Sequence, residues 1–428
     1  VCDVVVACDP VVGCVNVDAP NGNACDDGVG ATPTSTCQAG VCTGVCASGF
    51  SDCGGKCVYR GDACGLCPTP DGGLPIDVSA GGLTQCVVMD DGTVRCWGDN
   101  TYGQLGLGCS SPSWNTPITV PGISGATRVF VGPSMTCALL AGGRVKCWGR
   151  DHVAQLGAGY LAASVPWPIE IPGLADVVEV SMEDGTSCAR LEDGRVMCWG
   201  NNDIGMAGIG NYDTPVFVPR PVVGITTATR VAVGHRSACA SLADGTGRCW
   251  GSTFGNGLGN TLGSTTTPNP VFGLDTILEI VSTGFSRCAR LEGGTVRCWG
   301  TNYGGVLGID EKLAENSATP APAIQGITGA KAIAGSEHHM CAIMSDDTVK
   351  CWGQNSSGQL GDGSVESSAV AVDALGLDDV TLITAGAQTT CALRGDHSVW
   401  CWGYNAGGSL GVGPTAGSVS VPMRVLGL

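Results

Sequence analysis

The sequence predicts an all-β protein: a seven-bladed β-propeller behind a small disulfide-rich head. Three observations carry this prediction. Two cysteines ten residues apart, the second followed by Trp-Gly, occur seven times. The copies begin at Cys86, Cys137, Cys188, Cys239, Cys288, Cys341 and Cys391, so successive starts differ by 51, 51, 51, 49, 53 and 50 residues. A steady period of that size marks a propeller or solenoid, and four strands fill one blade. Glycine contributes 69 of 428 residues and charged residues only 14%, which suits short strands joined by tight turns.

The head is expected to occupy residues 1–73 and the propeller 74–428. The head holds Cys2, Cys8, Cys14, Cys25, Cys37, Cys42, Cys46, Cys53, Cys57, Cys64 and Cys67 but few large apolar side chains, so it depends on covalent staples. Twenty-six cysteines in all would be hazardous in a reducing compartment, and the expected location is extracellular or cell-surface. The start at Val1 reads as a mature chain without its signal peptide. Cys53, Cys57, Cys64 and Cys67 have a zinc-knuckle look, yet in an oxidising compartment disulfides are the expectation. Asp18, Asn21, Asn23, Asp26 and Asp27 cluster oxygen ligands suited to Ca²⁺, the one cofactor the sequence offers. Turn chemistry accounts for the same residues equally well.

Within each repeat the first element is an alternating run such as IDVSAGG, RVFVG or LITAG, read as an inner strand. The cysteine hairpin follows. A three-residue loop at Asp90, Asp91 and Gly92 pairs Met89 with Thr93, Val88 with Val94 and Val87 with Arg95, which sets Cys86 opposite Cys96. Directly opposed residues in a non-hydrogen-bonded pair stand about 4.5 Å apart, within disulfide reach. The same register predicts Cys137 with Cys147, Cys188 with Cys198, Cys239 with Cys249, Cys288 with Cys298, Cys341 with Cys351 and Cys391 with Cys401. In the last two repeats Asp347 and His397 occupy the glycine slot, both types that tolerate a left-handed backbone. These fourteen leave Cys109 over; with the eleven of the head it makes twelve, read as five bridges inside the head and one from Cys109 to it.

After Trp-Gly comes a glycine-rich loop, best preserved as DNTYGQLGLG and QNSSGQLGDG, then a variable polar stretch and a proline-marked outer strand such as TPITVPGI. Basic residues precede the second cysteine at Arg95, Lys146, Arg248, Arg297 and Lys350, each opposite Val87 or an alanine, a pattern of long stems packed over small neighbours. Six of the seven hairpin tips are acidic, for example Asp90 and Asp91 or Glu192 and Asp193. They would ring one face, though the turns themselves favour Asp.

The combination of CALxxxGxVxCWG with NxxGQLGxG resembles the regulator-of-chromosome-condensation repeat family, over roughly residues 74–428. The cysteine-paired variety is similar to repeats of secreted or surface proteins of bacteria. The resemblance implies a seven-bladed propeller. Its founding eukaryotic member binds chromatin and exchanges nucleotide on a small GTPase, while other members resemble inhibitory proteins that use one propeller face to bind a protein.

Net charge of −17 opposes binding to nucleic acid, and no apolar run is long enough to insert in a membrane. The five histidines stand at non-equivalent places, and no nucleophile, base or carboxylate set forms a catalytic pattern. Trp114 and Trp167 lie outside the repeated tryptophans and are the candidate anchors for a partner or a sugar. The functional expectation is a non-enzymatic binding or structural scaffold with a protein partner. Its rivals are a subunit of an extracellular assembly or filament that meets neighbouring copies of itself through the head, and a glycan-binding or hydrolytic propeller.

Overall fold

The computed structural model describes residues 72–428 except 111, 112, 184 and 414–416, and of residues 1–71 only three short strand pairs. The expected calcium ligands and the head cysteines therefore lie outside the described side chains.

Seven four-stranded antiparallel sheets follow one another, and each is a single uninterrupted repeat. Blade 1 runs outward from Pro75–Gly81 through Thr84–Met89 and Val94–Asp99 to Ser113–Thr119. The inner strands of blades 2 to 7 are Ala126–Val131, Val177–Glu183, Ala228–Gly234, Ile277–Thr283, Ala332–Ser336 and Val380–Ala385. Neighbouring inner strands pack on each other around a central channel, and the last packs on the first. Blade 5 is the exception in its outer strand, which is reduced to Asn316–Ser317. Pro320 and Pro322 lack the amide hydrogens a ladder needs, yet Ala321 and Ile324 still donate to the carbonyls of Cys298 and Val296.

The hairpin register places Cys86 opposite Cys96, Val87 opposite Arg95 and Val88 opposite Val94. All seven cysteine pairs oppose each other in this way, with Cα separations of 4.0 to 4.1 Å and sulfurs 2.04 to 2.11 Å apart. Every bridge is fully buried within its own sheet. At the tip, Gly92 adopts φ +77°, and Asp347 and His397 hold the same left-handed position at +65° and +64°. The acidic tips serve their own turns. Asp91 accepts from the Thr93 amide and hydroxyl at 2.8 and 2.7 Å, and Asp244, Asp346 and Asp396 repeat the arrangement.

No sheet mixes strands from the two ends of the propeller. What joins one blade to the next is the tryptophan. The indole of Trp148 donates at 2.8 Å to the carbonyl of Gln104 in the preceding blade's glycine-rich loop. Trp199, Trp250, Trp299, Trp352 and Trp402 bond in the same way to Gln155, Met206, Gly257, Val306 and Gln359. The loop is shaped for this by its own asparagine: Asn100 Oδ1 accepts the Leu105 amide, and Asn202, Asn302, Asn355 and Asn405 do the same five residues on. In five of the six loops followed by another repeat, the glycine of the QLG-type triplet lies against the next blade's indole or its neighbour. At Gly157 an added Cβ would stand 2.7 Å from Trp199, at a φ of +77° that already favours glycine.

The basic residue before the second cysteine also ties blades together. Lys146 donates to the carbonyl of Gly122 in the turn from blade 1, and Arg297 to those of Gly273, Ala321 and Pro320. These are structural contacts, in agreement with the packing expected for long stems over small neighbours.

Candidate functional site

Two features of the channel stand apart from the cystine hairpins and the tryptophan joints. The first is a girdle. Nine residues before the first cysteine of each pair, blades 1 to 5 carry Asp77, Arg128, Glu179, Arg230 and Glu279, alternating in charge; blades 6 and 7 carry Ala332 and Leu382. Arg230 lies 3.9 Å from both Glu179 and Glu279, and these acids also pair with Arg190 and Arg290 at 3.1 and 2.6 Å. The acids additionally bridge inner strands: Asp77 accepts the Val129 amide at 2.8 Å, Glu179 that of Val231 at 3.1 Å and Glu279 that of Ile333 at 3.2 Å. Burial pushes the Asp77 carboxyl up to about 6, against the opposing pull of Arg128. Glu179 is likewise pushed up by burial, while Arg230 and Arg190 draw it back.

The second feature is the channel mouth, where each inner strand turns into the next strand. Blades 7, 1 and 2 begin these turns with small or apolar residues, Gly386-Ala387, Gly81-Gly82 and Gly132-Pro133, followed by Gln388, Leu83 and Ser134. Blades 3 to 6 place Glu183, His235, Arg236, Phe285, Glu337 and His338 at the equivalent turns. His235 Nδ1 stands 3.8 Å from Glu183, and its ring lies 4.7 Å from that of Phe285. Two side chains of the glycine-rich loops join them. Phe254 is 5.4 Å from Phe285 with the Arg236 guanidinium over its face, and Tyr303 is 4.4 Å from His338. Phe254 and Tyr303 remain 60% and 52% exposed, so the arc is a surface rather than a core. The channel beneath holds a cavity of about 350 Å³ lined by Glu179, Glu183, Glu279, Glu337, Arg128 and Arg230.

Buried cations and imidazoles surround this arc. Arg287 is wholly buried beneath it and donates to the carbonyls of Gly284, Ser286 and Ser237 and to the Ser237 hydroxyl. Burial lowers its pKa to about 10, with Glu183 acting in the opposite direction. His339 bonds Thr390 of blade 7 at 2.8 Å, and burial pushes its imidazole down to about 3, so it is neutral. Burial also raises the Glu337 carboxyl, reinforced by the charge of Glu183, and lowers His338. The arrangement offers acids, aromatic faces and guanidinium on one rim. Among the described residues no set of three or more His, Cys, Asp or Glu is disposed to hold a metal ion.

The residues singled out from sequence separate. Trp114 packs with Cys109 against the core between blades 1 and 2. Trp167, 54% exposed, lies on the outer strand Ser164–Glu170 of blade 2, away from the channel. Cys109 is disulfide-bonded to a partner outside the described residues. The girdle and the mouth escaped the sequence reading, although the constant nine-residue offset of the girdle was a usable signal. No described helix is long and apolar enough to cross a membrane.

Family models of the regulator of chromosome condensation (RCC1) repeat match residues 76–104, 177–204, 330–359 and 380–408, and, in a second form, 91–139 and 346–393. Among curated proteins, the human E3 ubiquitin-protein ligase HERC2 is 31% identical over 173 residues, 39% of this chain. Protein pim1 of Schizosaccharomyces pombe is 31% identical over 163 residues, 34% of it. The aligned parts span only 3% and 30% of those two proteins. Among solved structures, yeast RCC1 (Prp20) bound to Kap60 superposes with a TM-score of 0.68 at 21% identity, covering 82% of this chain and 84% of that one. Human WBSCR16 gives 0.68 at 20% identity, covering 76% and 88%. At these identities the structures speak to the fold.

Proposed function

From a chain that carries regulator of chromosome condensation repeats, we propose a non-enzymatic scaffold, extracellular or at the cell surface, that binds a protein through the channel mouth. The observation that carries this reading is the arc of Glu183, His235, Phe254, Tyr303 and Glu337 on blades 3 to 6. Exposed aromatics and a guanidinium are the residue types that anchor protein interfaces. The arc's Glu183, His235 and Glu337 occupy turn positions that are glycine, proline or alanine in blades 7, 1 and 2. Seven buried cystine staples support an oxidising location. The yeast neighbour is itself bound to a protein in its structure, which agrees with protein binding as the role of such a propeller.

Affinity capture from the native extracellular fraction tests the reading. A Phe254→Ala/Tyr303→Ala protein should lose a partner that wild type and a Trp167→Ala control both retain. Equal capture by all three would remove the channel mouth from consideration.

A second reading rests on the outer rim of blades 2 and 3. There Tyr160, Leu161, Trp167, Tyr212 and Phe217 are all at least 40% exposed, a grouping suited to contact with further copies in an assembly. Light scattering decides it, since a strict monomer at high concentration excludes such contacts.

A further inference from the structure

Acids in the channel fall into two classes by what stands beside them. Glu179 and Glu279 in the girdle have arginine nitrogens at 3.1 and 2.6 Å. At the mouth, the only described ion pair of Glu183 is with His235 at 3.8 Å, and none of the described ion pairs includes Glu337. Of the nearby guanidinium groups, Arg287 is committed beneath the surface to four backbone and hydroxyl oxygens, and Arg236 lies over the Phe254 ring. Glu183 and Glu337 line the same channel, and the charge of Glu183 raises the Glu337 carboxyl while His235, the one imidazole acting on both, draws it back. Two like charges held over a confined opening repel, and a cation placed between them relieves both terms. The turns do not demand these acids, since the positions equivalent to Glu183 and Glu337 are Gly81 and Gly82 in blade 1 and Gly132 and Pro133 in blade 2.

We propose that the channel mouth seats a cationic side chain, a lysine or arginine of a protein partner, between Glu183 and Glu337. The inference rests on the reading of this face as the binding surface and names the chemistry it selects. A flanking ring completes the seat. Tyr303, 52% exposed, projects from the loop of blade 5, where a ring attracts a cation and packs against its aliphatic stem, while the Arg236 guanidinium already lies over the Phe254 ring. The asymmetry of the mouth sets the direction of approach. The turns of blades 7, 1 and 2 carry no charged residue, so a segment crossing the mouth would turn its charged end toward blades 3 to 6. The acidity of the whole protein, −17, would draw such a segment in, while the two carboxylates fix where its charge rests.

The test uses the full chain and a fluorescein-labelled arginine hexamer, read by anisotropy at physiological ionic strength. Glu183→Gln/Glu337→Gln removes two charges from the mouth. Glu192→Gln/Glu292→Gln removes two from exposed hairpin tips on the opposite face and controls for net charge. The proposal expects wild type to bind the hexamer, the mouth variant to bind about tenfold more weakly or worse, and the tip variant to stay within about twofold of wild type. No binding by wild type, or equal weakening in the two variants, overturns it. Both variants conserve shape, and matching unfolding midpoints show that each has folded. Capture of the native partner separates this inference from the reading beneath it. If Phe254→Ala/Tyr303→Ala loses the partner while Glu183→Gln/Glu337→Gln keeps it, the face binds but no cation is seated there. If the aromatic variant keeps the partner, the face reading falls and the inference falls with it, whatever the hexamer shows.

Discussion

The indole of Trp97 donates a hydrogen bond at 3.1 Å to the carbonyl of Ser409, 312 residues later in the chain. It is the same contact that every other blade makes with its sequence neighbour, and here it joins the last repeat to the first. The closing interface adds Gln85 to the Thr389 hydroxyl at 3.3 Å, the Ala80 amide to that of Thr384 at 3.1 Å, and a shared core with Val78, Leu393 and Leu410. At the tips of blades 1 to 6 the chain entering the next inner strand donates an amide to the tip backbone; at closure that strand begins with Pro75, which has none. The imidazole of His397 meets the Pro75 carbonyl there instead, at 2.9 Å.

Ring closure should therefore be sensitive to one glycine. At Gly411 an added Cβ would lie 2.7 Å from the Trp97 indole, with φ at +66°; at Gly376, φ +71°, it would meet open space. Gly376→Ala should cost roughly 1–2 kcal/mol for the left-handed backbone alone. Gly411→Ala should cost more, about 3–4 kcal/mol, because the indole must also move. Urea midpoints of the two variants measure the difference.

The girdle should behave as buried ion pairs rather than surface ones. Glu279→Ala strands the Arg290 guanidinium and the Ile333 amide, and a loss of about 3–5 kcal/mol follows from removing one partner of a buried pair. Glu292→Ala, at an exposed tip, should change stability by less than about 0.5 kcal/mol. Chemical unfolding of both proteins checks the contrast.

Asp77 gives a pH signature. Its carboxyl stands at about 6 in the fold against an ordinary 3.8, so the folded protein keeps a proton that the unfolded chain releases between those values. The stability it contributes is full below about pH 4 and declines as pH rises through 6. Asp77→Asn cannot titrate, so relative to wild type it should gain up to about 3 kcal/mol between pH 4 and 7. An equal offset at every pH would refute this.

His339 has the opposite sign. Burial holds its folded-state pKa near 3, well below the ordinary 6.5, so its neutral form is favoured by folding and stability is lost as pH falls from 6.5 toward 3. His339→Gln removes that loss, and its stability relative to wild type should rise as pH falls through this window. Unfolding midpoints measured at pH 7 and pH 4 decide it.

The architecture was legible because the same constraint recurs seven times. A hairpin register that opposes two cysteines also fixes which residues face the core, so the two central strands of a blade followed from CVVMDDGTVRCWG alone. The tryptophan was legible as a marker but not as a joint, because its partner is a backbone carbonyl about 44 residues earlier, as for Trp148 and Gln104, and carbonyls leave no trace in sequence. The girdle was written at a constant offset, yet Asp77, Arg128 and Glu179 look like ordinary surface charges until the ring brings them side by side. The mouth was harder still. His235 and Glu337 occupy one turn position and His338 the next, and only the fold shows that departures from the small turns of blades 7, 1 and 2 gather on one arc. Trp114 and Trp167 stood out as unrepeated aromatics, but one is packed in a core and the other sits on the rim.

Mapping of peptides from the unreduced protein, made in its native compartment and alkylated before digestion, tests the account most directly. It predicts that its cystine peptides include seven that each join cysteines ten residues apart within one repeat, with none of those fourteen thiols alkylated. Cystines between repeats, or alkylated cysteines among these pairs, would contradict both the stapled blade and the oxidising location that the proposed function requires.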